Sequence, residues 1–231
     1  MIRAEGSPDR ASIAGGGRAG TSGERIYTKR FLSIYDVVVL GISLPWVWGC
    51  PSRRLLALYD DNVGHSHLDT GVGTGYFLAR CRFPDAQPGI TLLDLNPNCL
   101  QRAAARLDRY RPRTVLADVS QPLPPGLGKF DSVGMSLLLH CLPGSMVEKS
   151  RVFGRLKAVL REGGVLFGAT VLGDGNGSRA WSRVVSRYYN RLGIFSNLED
   201  DAVGLEAGLA RHFSTFEVRR RGWVALFVGR A

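Results

Sequence analysis

The stretch His67-Leu-Asp-Thr-Gly-Val-Gly-Thr-Gly75 constrains this chain more than any other. Directly behind a short apolar run it sets an acidic residue, Asp69, and then glycines at Gly71, Gly73 and Gly75. Glycines at this spacing permit a tight strand-to-helix turn and let a ligand lie against bare backbone, because no Cβ intervenes. A dinucleotide-binding turn of the G-x-G-x-x-G type needs its third glycine at position 76, where Tyr76 stands, so that reading fails by one residue.

Around the turn the hydrophobic pattern alternates between strand and helix. Short strands are expected over residues 66–70, 89–94, 113–117, 130–138 and 165–171. Helices are expected over 76–81, from Pro97 to 109, and over 146–160, with a Glu162-Gly-Gly164 turn before the fifth strand. This rhythm implies a parallel sheet covered on both faces. Two more helices (181–192 and 200–212) and a closing strand pair (215–220 and 223–228) follow. Ahead of the sheet, residues 1–24 are polar and glycine-rich and are expected to be a disordered tail. Residues 25–60 form a helical cap: Phe31, Ile34, Tyr35, Val38 and Val39 recur at helical spacing, and a second helix covers 52–59. The remaining 61–231 is one α/β domain carrying a lid insertion at about 174–198.

Asp-x-Gly-x-Gly-x-Gly at the end of a first strand, with Asp94 and Asp118 ending the next two, resembles the class I S-adenosylmethionine-dependent methyltransferases. The likeness spans about residues 25–231. It implies a Rossmann-like, seven-stranded, mostly parallel sheet with an antiparallel C-terminal hairpin, helices on both faces and an N-terminal helical cap. It also implies S-adenosyl-L-methionine as methyl donor, S-adenosyl-L-homocysteine as product, and no metal. Within the family, the segment Tyr27 to Asp36 is similar to the entry segment of ubiquinone/menaquinone-type enzymes and of small-molecule methyltransferases of microbial secondary metabolism.

Ligands of open α/β sheets bind beyond the carboxyl ends of the strands, where strand order reverses. Asp69 is placed for the donor's ammonium group, and Gly71, Gly73 and Gly75 for close backbone approach. A carboxylate accepts two hydrogen bonds at once, which suits Asp94 to both ribose hydroxyls. Leu95 and Val119 would flank the adenine, Asp118 would accept from its amino group, and Ser136 and Leu137 would line the methyl side. Tyr27 or Tyr35 would reach the donor's carboxylate, although Tyr35 fits core packing beside Phe31 equally well. Each of these residues also has an ordinary reading as a cap or turn; it is their recurrence with the strand rhythm that favours a site.

Methyl transfer from a sulfonium is an in-line displacement that needs alignment and dryness, and a base only where the acceptor must lose a proton. His140, just past the fourth strand, is the candidate base, with packing as its alternative role. Trp46, Trp181, Tyr188 and Tyr189 are the candidates for lining an apolar acceptor pocket, joined by Trp48 and Phe195. They suggest a small hydrophobic or aromatic acceptor. His65, His67 and His212 have no partner at ligand spacing.

The net charge of +10 rests on arginine, since Lys29, Lys129, Lys149 and Lys157 are the only lysines among 30 basic residues. Arg102, Arg106, Arg109 and Arg113 could form a stripe for RNA, which keeps an RNA methyltransferase as the first rival. The fourth strand lacks the Asn/Asp-Pro-Pro-aromatic and Pro-Cys motifs of base methyltransferases, and no dense basic run is present, so nucleic acid is not the expected partner. The second rival is a non-catalytic cofactor-binding subunit. Cys50, Cys81, Cys99 and Cys141 form no Cys-x-x-Cys pair and are expected as reduced thiols. Asp36, Gly41 and Pro45 interrupt the apolar run 31–50, arguing against a membrane span. A cytoplasmic enzyme is expected, with a homodimer left open.

Overall fold

A computed structural model describes residues 36–174 and 180–231. The expected N-terminal tail, Tyr27 and Tyr35 lie outside the described residues. The helices are α1 (Asp36–Val47, wound as a π-helix), α2 (Ser52–Asn62), α3 (Pro97–Arg106), α4 (Met146–Lys149), α5 (Arg151–Lys157), α6 (Ala180–Arg191) and α7 (Ala202–Ala210). The strands are β1 (Ser66–Thr70), β2 (Gly89–Asp94), β3 (Arg113–Leu116), β4 (Phe130–Ser136), β5 (Leu160–Val171), β6 (Thr215–Arg221) and β7 (Val224–Arg230).

The seven strands form one sheet in the order β3-β2-β1-β4-β5-β7-β6. β1 to β5 are mutually parallel, while β7 runs antiparallel to both β5 and β6. Chain order therefore reverses between β1 and β4, which opens a crevice at their carboxyl ends. Two apolar layers cover the sheet. One carries Leu44, Trp48, Leu55, Leu78, Leu100 and Trp223; the other carries Phe153, Leu156, Leu205, Leu209, Phe213 and Phe227.

Local chemistry accounts for where the elements depart from expectation. No regular helix forms over residues 76–81; these are successive turns, with Ala79 N–H donating to Gly75 O and Cys81 N–H to Phe77 O. Pro84 follows closely and disfavours helical backbone at the residue before it. α2 runs past the acidic pair to Asn62, whose side chain donates back to Leu58 O at 2.8 Å. The helix expected over 146–160 is split at Ser150, whose hydroxyl donates to Val147 O instead of leaving the backbone undisturbed. The glycine turn at 162–164 is absorbed into β5 as a register shift against β4.

The cap is tied to the far end of the sheet. Trp223 N–H donates to Trp48 O at 2.9 Å, and Ser182 Oγ donates to Val47 O at 2.7 Å. A side chain at Gly222 would put its Cβ 2.3 Å from Trp48 O, so this approach requires glycine. At its N-terminal end the cap meets the glycine turn: Arg106 donates to Asp36 Oδ2 at 2.6 Å and to Thr74 Oγ1 at 3.1 Å, while Thr74 also donates to Asp36.

Candidate active site

A cavity of about 700 Å³ opens at the carboxyl ends of β1, β2 and β4. Its polar side is built by Asp69, the Gly71–Gly75 turn, Asp94, Leu95, Asn96, Asp118 and Ser120. Its apolar side is built by Leu40, Phe77, Leu138, Leu142, Ile194 and Phe195. Ser136 and Leu137 close the floor.

The turn itself needs its glycines. Gly71 has φ +66°, and a Cβ there would meet the Leu138 side chain at 2.8 Å; Gly75 has φ +67°, and a Cβ would meet Ala103 of α3 at 3.1 Å. Strand pairing supplies a further close approach. Asp69 of β1 faces Gly134 of β4, and a Cβ on Gly134 would lie 2.3 Å from Asp69 Oδ1. Gly134 was not singled out by the sequence reading, yet a glycine inside a strand is itself a signal of such an approach.

Asp69 is buried and its Oδ1 accepts from the Tyr59 hydroxyl at 3.0 Å. Burial first, and the neighbouring Asp69 charge second, hold the Tyr59 phenol well above its usual range, so it remains a donor. Tyr59 sits on the inner face of α2 and lines the cavity, although the sequence reading gave it no role beyond the end of that helix.

Asp94 ends β2, and its Oδ1 accepts from Asn96 N–H at 2.8 Å. Burial pushes its carboxyl up to about 6, against the opposing pull of backbone N–H groups of Asn96, Gly73 and Val72. The glycine turn thus points donors at the same carboxylate that faces the cavity. Asp118, after β3, accepts from Ser120 N–H at 2.8 Å and stands on the same wall.

Several expected site residues lie elsewhere. Val119 is buried in the second apolar layer beneath the sheet, and Ser120 takes its place on the cavity wall. None of Trp46, Trp181, Tyr188 and Tyr189 is on that wall. Trp46, Trp181 and Tyr188 are exposed, because they fall on the outer faces of α1 and α6. Tyr189 packs edge-on against Phe195 at 5.2 Å and tilts against Trp48 at 6.2 Å, making an aromatic cluster behind the wall. Of the six aromatics expected to line an acceptor pocket, Phe195 alone is on the cavity wall.

His140 is also corrected. It is 3% exposed and off the cavity wall, with Val171 N–H donating to its Nδ1 at 3.2 Å. Accepting that N–H occupies the one basic lone pair of the neutral ring and leaves Nε2 protonated, so taking a proton would cost the ring this hydrogen bond. Burial, with Lys149 nearby, holds it down at about 3. Its ring packs edge-on against Phe195 at 4.4 Å, a contact that shapes the apolar wall. We expect His140→Asn, whose side-chain oxygen can replace Nδ1 as acceptor, to keep turnover within a few-fold of the parent across pH 6–9. Loss of a titrating limb in the rate profile would restore the base assignment. The ring's stability contribution is present above its unfolded value and declines as pH falls toward about 3.

The loop after α6 is anchored below the cavity by a buried pair. Lys149 Nζ meets Asp200 Oδ2 at 2.6 Å and also donates to Ser196 O, while Ser196 N–H donates to His140 O. Both partners are essentially excluded from water.

A parallel sheet of this strand order, closed by an antiparallel β7 and carrying its glycine turn and carboxylates at the switch point, defines a class I methyltransferase fold and site. Comparison with known proteins agrees. A family model described as a methyltransferase domain matches residues 68–166. Demethylluteothin O-methyltransferase of Streptomyces thioluteus is 46% identical over 205 residues, covering 89% of each chain. The physcion biosynthesis cluster O-methyltransferase of Aspergillus chevalieri is 44% identical, covering 89% of this chain and 93% of its own. In fold, the chain resembles the N-methyltransferase NodS of Bradyrhizobium japonicum in complex with S-adenosyl-L-homocysteine, with a TM-score of 0.56 at 15% identity over 87% of this chain and 97% of the other. The chain belongs to the S-adenosylmethionine-dependent methyltransferase family.

Proposed function

We propose that this enzyme transfers the methyl group of S-adenosyl-L-methionine to an oxygen of a small hydrophobic or aromatic metabolite, releasing S-adenosyl-L-homocysteine. The observation that carries the reading is the shared wall: Asp69, Gly71, Gly73, Gly75, Asp94, Leu95 and Asp118 all face one cavity whose other side is apolar. Asp94 would hold the ribose diol, Asp118 the adenine amino group, with Leu95 against the ring, and Asp69 the ammonium. The donor supplies an activated methyl carbon on a sulfonium. Leu138, Leu142, Ile194 and Phe195 would hold an apolar acceptor against it and keep water out. Oxygen as the acceptor atom, and natural-product biosynthesis as the setting, are supported by the named activities of the two relatives. Among the described residues, no group of three His, Cys, Asp or Glu could hold a metal ion, and no helix is long and apolar enough to cross a membrane.

The test is transfer of labelled methyl from S-adenosyl-L-methionine to a panel of phenols, enols, amines and nucleic acids. Label on an oxygen of a phenol or enol is the expected product. Label on RNA alone, or on amines alone, would overturn the proposal.

A further inference from the structure

Beneath the cavity floor, a buried polar chain ends on Asp69. Gly64 N–H donates to Ser132 Oγ at 2.8 Å, and Ser132 Oγ lies 2.8 Å from His67 Nδ1. The other ring nitrogen, His67 Nε2, is 3.6 Å from Asp69 Oδ1 and has no hydrogen-bond partner, although the residue is wholly buried. An orphaned buried nitrogen is rare enough to require an explanation. The ring is fixed in place, stacked on Phe167 at 5.7 Å and edge-on to Tyr59 at 6.3 Å.

The charge of Asp69 selects the tautomer. A bare Nε2 lone pair facing a carboxylate would repel it, so the proton belongs on Nε2, and Ser132 O–H donates to Nδ1. Asp69 Oδ1 then lies between two donors, Tyr59 O–H and His67 Nε2–H. Gly134 leaves the space for this arrangement, since a Cβ there would strike both Oδ1 (2.3 Å) and the His67 ring (3.2 Å).

We propose that His67 is a positioning residue for the donor's amino-acid tail: with Tyr59 it clamps one oxygen of Asp69, leaving the other directed into the cavity for the ammonium group. This rests on the donor-site reading above. At 3.6 Å the His67 contact is longer than a hydrogen bond, and the proposed role requires it to shorten once a cation on the free oxygen orients the carboxylate. The role is specific to the tail, because the carboxylates proposed for ribose and adenine stand elsewhere, Asp94 at the end of β2 and Asp118 in the loop after β3.

The experiment compares two ligands on three proteins. S-adenosyl-L-homocysteine carries the amino-acid tail, and 5′-methylthioadenosine lacks it. His67→Asn can satisfy Ser132 but places no donor at the Nε2 position; His67→Gln restores a donor there. The expected result is a loss of about tenfold or more in affinity for S-adenosyl-L-homocysteine in His67→Asn, recovered in His67→Gln, with affinity for 5′-methylthioadenosine unchanged in both. Equal losses for the two ligands, or no loss for either, would overturn the assignment. If the parent protein binds neither ligand, the donor-site reading itself fails. Nitrogen NMR of the parent protein supplies a readout independent of any variant: Nε2 is expected to be protonated and Nδ1 bare, and the reverse tautomer would overturn the assignment.

Discussion

Replacing Asp94 by alanine should abolish binding of S-adenosyl-L-homocysteine, with affinity reduced by a hundredfold or more in a calorimetric titration. Two charge-assisted hydrogen bonds to a ribose diol in a partly dry site are together worth about 3 kcal/mol or more, and alanine removes both. The same substitution should make the empty protein more stable. Burial raises the Asp94 carboxyl to about 6, so the folded chain holds an unwelcome charge at neutral pH. Its folded value lies above its unfolded one, which means that folding favours the protonated form. The destabilisation is therefore absent below the unfolded value of 3.8, grows as pH rises to about 6, and is constant above it. A rise of this size corresponds to about 3 kcal/mol at neutral pH. Asp94→Asn, which keeps an acceptor for the Asn96 N–H, should recover part of that as a higher melting temperature at pH 7.5 and none of it at pH 4. A variant that loses ligand and also loses stability at pH 7.5 would mean that Asp94 serves the fold. In the parent protein, affinity for S-adenosyl-L-homocysteine should be flat above about pH 6 and fall below it, by up to about tenfold per pH unit, as the diol's acceptor is protonated.

The second large effect is expected at Lys149. Its ammonium and the Asp200 carboxylate are both buried and face each other at 2.6 Å. Lys149→Met leaves an unpaired carboxylate in the interior, at a cost of about 3–5 kcal/mol. It also frees Ser196 O, and with it the loop after α6 whose Phe195 and Ser196 line the cavity. Chemical denaturation should show that loss, whereas the double variant Lys149→Met/Asp200→Leu should recover most of it, since a matched apolar pair carries no stranded charge. Burial raises the Asp200 carboxyl even with Lys149 present, so in the single variant it should take up a proton readily and the deficit should shrink at acid pH. A single variant as stable as the parent would show that the pair carries little of this loop's attachment.

The polar wall of the cavity was legible in the sequence because its residues are tied to backbone events. Asp69 lies near the end of β1, Asp94 ends β2, Asp118 follows β3, and Gly71, Gly73 and Gly75 make the turn after the first, so strand rhythm brings them to one crevice. The neighbouring Val119 shows the limit of that logic, for one position past Asp118 the side chain turns to the opposite face and joins the core. The apolar wall depends on which face of a helix points inward, and aromatic content does not decide that. α6 presents Trp181 and Tyr188 outward and uses Tyr189 to back Phe195, so this aromatic-rich stretch contributes one ring to the wall. Tyr59 and His67 were hidden for a different reason. Both carry the pattern of core residues, and their importance arises from contact with Asp69 across ten and two positions of chain, visible only once β1, β4 and α2 are assembled. His140 matched the right place in sequence but had its basic nitrogen already taken by the backbone of β5, a partner no local pattern reveals.

The most direct test of the account is a crystal structure of the chain with S-adenosyl-L-homocysteine. The account predicts density along the cavity, with the ribose hydroxyls on Asp94, the adenine amino group at Asp118, and the tail over Gly71–Gly75 with its ammonium at the free oxygen of Asp69. Ligand density outside this cavity, or a ribose turned away from Asp94, would contradict it.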